Sequence, residues 1–190
     1  MDYIVQHNFL TKERCQELIT LSEAAGYDEA DISYATGAQM NKEYRDNSRC
    51  LLRNEDLRLE LENLIRPHVP MRLPIIKPGG IIEQKDFVRL SGNFRFYRYQ
   101  PTQKFKKHRD GNVVEEGGVS LVTVLIYLNN AGTGGETNIC DRMLDKPIII
   151  KPEEGKMLMF NHSLLHSGEE LIEGIKYVLR TDLIYTHDGL

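Results

Sequence analysis

Residues 119–129, VSLVTVLIYLN, are apolar at almost every position, whichever way their side chains point. In an extended strand alternate residues face opposite sides, so this run must be covered on both faces at once. It is therefore expected to be a central strand with a layer on either side. Further short β-type runs separated by turns surround it. Residues 93–100 alternate, with Phe94 and Phe96 on one face and Arg95, Tyr97 and Tyr99 on the other, and similar runs follow at 135–140, 147–151, 156–161 and 176–186. Many short strands in a chain of 190 residues point to a sandwich or jelly roll rather than a parallel sheet.

The first third supplies the helical signals. Thr11 is placed to cap a helix running to about Ala25, with Cys15, Leu18, Ile19 and Leu21 as its apolar stripe and Gly26 as its end. Asn54 caps a second helix, with Glu55 and Asp56 in the first turn, Leu57, Leu61, Leu64 and Ile65 on one face and Pro67 as terminator. Both would pack on one outer face of the roll. Residues 26–53 carry no periodicity, and the turn-rich stretch 69–85, with Pro70, Pro74, Pro78, Gly79 and Gly80, suggests a flap. One domain is expected, with residues 1–90 as helical support and flap and 91–190 as the β core.

His108-Arg109-Asp110 brings in the chemistry. On a strand the first and third of these aim at one point, and an imidazole with a carboxylate makes two-thirds of a facial metal triad that leaves coordination positions open. The third ligand is available in MLMFNHSLLHSGEE as His162 or His166; four apart, both could instead cap strand ends. On the last strand Lys176, Val178, Arg180, Asp182 and Ile184 share a face. A buried cation there must be paired. A small dianion chelating the metal at one end and salt-bridged at the other would serve, whereas in the simpler alternative Arg180 pairs with Asp182 and Lys176 reaches water.

Five pieces occur in order over residues 92–185: RYQPTQKFKKHRD, VTVLIYLN, GGETNI, GKMLMFNHSLLH and GIKYVLRTDLIY. Through them the chain resembles the iron(II)- and 2-oxoglutarate-dependent dioxygenases, and most of all the prolyl 4-hydroxylase group. The resemblance implies an α+β fold with a double-stranded β-helix (jelly roll) core and N-terminal supporting helices. It implies Fe(II), 2-oxoglutarate as cosubstrate and O2, with ascorbate supporting activity. His108, Asp110 and His166 become the iron ligands, and His166 is preferred to His162 because the family's histidine lies ten positions before the cosubstrate cation, the spacing of His166 to Lys176. Lys176 matches the lysine that binds the far carboxylate, with Arg180 the alternative anchor or a substrate binder. Tyr127 and Tyr99 match positions that lend a phenol to the cosubstrate, core packing being the alternative for each. Phe105 stands where many relatives have tyrosine, which implies one hydrogen bond fewer.

The implied reaction couples decarboxylation of 2-oxoglutarate to succinate with hydroxylation of an unactivated C–H bond. A prolyl residue in a polypeptide is the first expectation for the substrate, followed by another amino-acid side chain or a small molecule. A net charge of −4 gives no global field toward nucleic acid or membrane. Lys104, Lys106, Lys107 and Arg109, with Arg95 and Arg98, form either a solvated rim or a surface favouring an acidic protein segment. The glycine-flanked 111–118 is a candidate closing loop or a plain hairpin turn. Cys15, Cys50 and Cys140 form no CxxC pair and read as free thiols, and no secretory or membrane-spanning pattern is present, so a cytoplasmic protein is expected. A zinc hydrolase would want a general base, as in H-E-x-x-H, which the sequence lacks. A cupin-like binding module would not require the full ligand set and the cation.

Overall fold

In the computed structural model, which describes residues 3–30, 32–34, 37–39, 43–77, 79–140 and 146–187, the apolar run is the strand Gly118–Tyr127. It pairs antiparallel with Met157–Asn161 on one side and with Lys176–Tyr185 on the other. These are the middle of a sheet of ten strands among the described residues, extending through Asn93–Tyr99 to Ser48–Arg53 on one flank and ending at Tyr3–Gln6 on the other.

The two faces of this sheet are covered differently. Val122, Val124 and Ile126 join Phe94, Phe96, Met157, Met159 and Leu179 in an apolar layer with the helix residues Leu18, Leu57, Leu61 and Ile65. Alternation turns Tyr127, Tyr97, Tyr99, Leu158, Phe160 and Val178 the other way, against Ile139 and Ile150. Those two belong to a second, four-stranded sheet ordered Ile148–Ile150, Thr137–Cys140, Leu165–Gly168, Phe105–His108. Helices, large sheet and small sheet thus form three layers, which meets the demand of the central strand for cover on both sides.

The helices begin and end where capping chemistry puts them. Thr11 Oγ1 accepts the Arg14 N–H (3.2 Å) at the start of Lys12–Ala25, and Gly26, at φ +90°, donates its N–H to the Ser22 and Glu23 carbonyls at the end. Asn54 Oδ1 accepts the Leu57 N–H (2.9 Å) at the start of Glu55–Ile65. Each apolar stripe is narrower than expected. Cys15, Leu18 and Ser22 face inward on the first helix while Leu21 is exposed; the buried Ser22 hydroxyl donates to the Ile19 carbonyl and accepts from Tyr27. On the second, Leu57, Leu61 and Ile65 form the buried row and Leu64 lies off it in water. Pro67 sits in a single 3-10 turn, Arg66–His68, beyond the helix. Arg14 grips Glu60 through two hydrogen bonds of 2.8 and 2.6 Å and ties the helices together.

Two stretches differ from expectation, and a third, 111–118, takes the hairpin alternative. Residues 69–85 hold no irregular flap: Arg72–Ile76 and Ile82–Leu90 form a hairpin, and the second of these strands also pairs with Lys176–Tyr185. Pro78 lies outside the described residues. The unassigned 26–53 stretch contributes Ser48–Arg53 to the large sheet, so the first ninety residues supply strands as well as helices. Residues 111–118 contain a tied hairpin, Val114–Glu115 against Gly118–Val119, whose Glu115 Oε1 accepts hydrogen bonds from Ser91 (2.6 Å) and Asn93 (2.9 Å). At Gly118 even one methyl group would run into the Tyr185 carbonyl oxygen.

Candidate metal centre

His108 ends the outer strand of the small sheet, and His166 sits directly opposite it on the neighbouring strand. Cross-strand register alone therefore brings the two imidazoles together, with ring centroids 4.2 Å apart. Asp110 arrives by another route. The strand stops at His108, so the expectation that His108 and Asp110 share a strand face fails. A backbone bond from Asp110 N–H to the His162 carbonyl (3.1 Å) turns the chain, and the carboxylate is then held from both sides. Thr123 Oγ1 donates to Oδ2 at 2.5 Å and Arg180 Nη1 to Oδ1 at 2.7 Å. His108 Nε2 lies 3.8 Å from Oδ1 and His166 Nε2 3.7 Å from Oδ2.

Both imidazoles are prepared as ligands. His108 Nδ1 is 2.8 Å from the Lys106 carbonyl and His166 Nδ1 is 3.0 Å from the Leu164 carbonyl. A carbonyl can only accept, so the proton resides on Nδ1 and the Nε2 lone pair points toward Asp110. Burial pushes the His108 pKa down to about 4 and lowers that of His166. Burial raises the Asp110 pKa, but Arg180 and His166 outweigh it and leave the carboxyl at about 2. Two neutral imidazoles and a carboxylate are the donor set a divalent metal requires. With bonds of about 2.1 Å, ligand atoms at right angles stand about 3 Å apart, so modest side-chain movement brings these three atoms onto one ion.

The triad opens into a cavity between the sheets, lined also by Tyr99, Leu125, Thr137, Lys176 and Arg180. Lys176 is 3% exposed. Its Nζ donates to the Gly135 carbonyl (2.5 Å) and lies 5.0 Å from the Tyr99 ring, and among the described residues no carboxylate pairs with it. Burial pushes its pKa down to about 8. Gly135 has φ +73° and lies against Lys176, so a side chain there would be strained and would press on the Lys176 stem. The hydroxyl of Tyr99 has no hydrogen-bond partner among the described residues. Tyr127 does not line the cavity: it is wholly buried behind Thr137, to which its hydroxyl donates (2.7 Å), which is the packing alternative. His162 stays apart from the triad, with its ring nitrogens 3.3 Å from Asp182 Oδ1 and 3.1 Å from Asn112 Oδ1.

Sequence reasoning missed much of what surrounds these residues. The Arg180–Asp182 pair that the sequence offered is present (3.3 Å), but Arg180 also reaches Asp110 and Asp182 also accepts from Arg95 (2.7 Å), so one arginine joins two carboxylates. Burial works against the Arg180 charge, but the two carboxylates prevail and raise its pKa. Thr123, a polar residue in the middle of the apolar run and opposite Asp182 in register, was the available signal. Arg45 lies over the rings of Tyr97 (4.7 Å) and Phe105 (4.6 Å), while Phe105 stacks on His108 with centroids 3.6 Å apart. Within the basic rim, Lys104 pairs with Glu170 and Arg98 with Glu23.

With this geometry in view, comparison with known proteins is informative. Residues 94–181 match the model of the 2OG-Fe(II) oxygenase superfamily. Prolyl 4-hydroxylase 1 of Arabidopsis thaliana is 23% identical over 196 residues, covering 92% of this chain and 65% of that protein. The chain spans 43% to 66% of the length of the curated relatives it matches. Among solved structures, a prolyl hydroxylase from Trichoplax adhaerens in complex with a hypoxia inducible factor peptide fragment superposes with a TM-score of 0.71 at 16% identity, covering 96% of this chain and 83% of that one. The viral collagen prolyl hydroxylase of Paramecium Bursaria Chlorella virus-1, in complex with 2OG, gives 0.66 at 20% identity, covering 99% and 97%. At such identities the structural likeness is one of fold. The chain resembles the 2OG-Fe(II) oxygenases and, among them, the prolyl 4-hydroxylases.

Proposed function

We propose that this protein, a 2OG-Fe(II) oxygenase resembling the prolyl 4-hydroxylases, binds Fe(II) through His108, Asp110 and His166 and 2-oxoglutarate through Lys176, and hydroxylates a prolyl residue in a polypeptide. The facing sheets and the likeness to solved oxygenases support reading the core as a double-stranded β-helix. One observation carries the proposal: a buried lysine with no carboxylate partner among the described residues shares a cavity with two imidazoles whose Nε2 atoms converge on a carboxylate. Iron, 2-oxoglutarate and O2 would supply the oxidising power there, with 2-oxoglutarate decarboxylated to succinate and one oxygen atom transferred to the C–H bond.

The residues supply the rest. Lys176 meets the far carboxylate of the dianion as a buried charge pair, which is why no protein carboxylate is spent on it. Tyr99 has a hydroxyl free to donate to the same group. Thr123 and Arg180 fix the Asp110 carboxylate so that its orientation is set before metal arrives. The two carboxylate contacts of Arg180 make it a positioning residue and favour Lys176 as the anchor. Leu125 and Val178 line the cavity with apolar surface and keep water from the reacting centre. Hydrolysis by a bound zinc ion would call for a second carboxylate as base, and Asp110 is the only carboxylate lining this cavity among the described residues.

Proline is chosen from the resemblance, and polyproline II segments, ordered before binding, suit a site that must present one C–H bond. Free cysteines at Cys15, Cys50 and Cys140 fit a reducing compartment such as the cytoplasm. No helix among the described residues is long and apolar enough to cross a membrane. The test supplies Fe(II), 2-oxoglutarate and ascorbate with panels of proline-containing peptides and free amino acids. Succinate release together with a peptide mass gain of one oxygen at proline is expected. Succinate released with a small metabolite alone would retire the prolyl reading and keep the oxygenase.

A further inference from the structure

A second hollow shares His108, Asp110 and Arg180 with the first cavity and opens to solvent beside the metal centre. Its walls include Arg45, Arg49, Arg95, Arg109 and Arg180, of which Arg95 and Arg180 are already engaged by Asp182 and Asp110 while Arg109 stands exposed at the mouth. A cationic concentration of this kind on a chain whose net charge is −4 is local, not a reflection of composition.

The fold places Arg45 there. Backbone bonds from Lys106 N–H to the Tyr44 carbonyl and from Asp46 N–H to the Lys104 carbonyl, both 2.9 Å, lay residues 44–46 along the outer edge of Phe105–His108, with Arg45 opposite Phe105. Its Nε donates to Asn47 Oδ1 (2.8 Å), and the Tyr97 and Phe105 rings hold its guanidinium. Arg109 is exposed, with its Nε donating to the Ser163 carbonyl (2.8 Å), a neutral acceptor.

The hollow continues at both ends. At one it shares Tyr44 and Phe105 with a shallow groove lined by Lys104, Lys106 and Lys107 and by one carboxylate, Glu169, with Lys104 paired to Glu170 and the exposed Lys106 and Lys107 facing solvent. At the other it shares Asn112 with a groove whose apolar wall is Pro74, Ile75, Ile76 and Leu121, from the hairpin strand Arg72–Ile76 and the central strand, and which is lined also by Asn161, His162 and Ser163. The path across the metal centre therefore runs from basic, through arginine-rich, to apolar. A free amino acid or small metabolite would fill only the middle, whereas an extended chain uses the whole length. A nucleic-acid strand would leave the apolar end without a partner.

Taking the proposed oxygenase reaction as given, we infer that the substrate is an extended polypeptide segment with carboxylate side chains on one side of the oxidised residue and an apolar side chain on the other. The carboxylates meet Arg109, Lys106 and Lys107, all exposed; the apolar residue rests on Ile75, Ile76 and Leu121. Arginine suits the central place because its planar fork can hold a carboxylate through two hydrogen bonds.

The test uses the iron-loaded full chain with peptides of one length and a central proline. Acidic residues are placed on one side and leucine on the other, in both orders, and matched peptides carry glutamine or lysine in place of the acids. For one of the two orders the acidic peptide should have a kcat/KM roughly tenfold or more above its glutamine counterpart. The advantage should shrink as salt is raised. Because Arg109 and Lys107 are exposed, Arg109→Glu with Lys107→Glu is expected to fold, and it should move the preference toward the lysine peptide. Equal kcat/KM for acidic, glutamine and lysine peptides would overturn the inference, as would turnover stimulated by an oligonucleotide or a free amino acid and by no peptide. Succinate released by the wild type without any peptide separates the two levels. Its presence with charge-blind peptides defeats only the acidic substrate, whereas no succinate under any condition defeats the oxygenase reading as well.

Discussion

Lys176 and Arg180 stand four residues apart on one face of the same strand, the first buried and the second mostly so, and their surroundings are opposite. Arg180 reaches two carboxylates, Asp110 and Asp182, which raise its pKa; Lys176 has one backbone carbonyl and two aromatic rings, and burial lowers its pKa to about 8. A cation the fold has already neutralised belongs to the architecture. One that the fold has buried at a cost points to a ligand that arrives later with the missing charge. The same division separates the two histidines nearby: His162 is bound into the Asp182 cluster, and His166 turns the Nε2 lone pair toward Asp110 at the proposed metal position.

The sharpest test of that division is the histidine pair. His166→Ala should abolish iron retention and succinate formation, whereas His162→Ala should lower thermal stability yet keep close to one iron per chain by metal analysis. The reverse pattern would exchange their roles. Next in size is Arg180→Met, which leaves Asp110 and Asp182 without their shared cation. Removing one partner of a buried ion pair commonly costs about 3–5 kcal/mol, so urea unfolding should show a loss of that order. A loss under about 1 kcal/mol would mean that the arginine is not architectural.

Lys176→Met should act in the opposite sense. The iron-free, cosubstrate-free protein should melt several degrees higher, because a buried ammonium is replaced by an apolar chain of similar length, while the 2-oxoglutarate requirement rises roughly a hundredfold. A lower melting temperature would contradict the claim that Lys176 burdens the empty fold. The smallest effect is on pH. A lysine whose folded pKa lies near 8, below its unfolded value of 10.5, holds its proton less tightly when folded. The cosubstrate-free fold therefore gains stability as pH rises from about 8 to 10.5. Binding of the dianion needs the ammonium form, so apparent 2-oxoglutarate affinity should fall as pH rises above about 8. Lys176→Arg should flatten that decline, and an unchanged slope would assign the titration to another group.

Where one physical signal dominated, the sequence was readable. Thr11, Gly26 and Asn54 marked helix ends through local capping, and the doubly apolar 119–129 run could only be a covered central strand. Ser48–Arg53 escaped because Cys50 is its only buried residue while Leu51 is 60% exposed, so no alternation is visible. The hairpin Arg72–Ile76 with Ile82–Leu90 was obscured by prolines and by Ile76 and Ile82, which face water, while Lys85 is buried. At the site, the ligand residue types were legible, but the geometric argument for Asp110 held only in its result. A turn fixed by His162, together with Thr123 and Arg180, aims the carboxylate, not the strand pleat. Arg45 was invisible as a site residue, because backbone pairing with a strand sixty residues away brings it there.

One cavity joins the candidate metal ligands His108, Asp110 and His166 to Lys176, a buried cation with no carboxylate partner among the described residues. Anaerobic titration of the Fe(II)-loaded protein with 2-oxoglutarate, followed in the visible range, tests it directly. A saturable metal-to-ligand charge-transfer band is expected in the wild type. In Lys176→Met the same band should appear at the same wavelength, with its midpoint displaced to much higher 2-oxoglutarate, since chelation survives and only the far anchor is lost. Absence of the band in the wild type, or an identical midpoint in Lys176→Met, would contradict it.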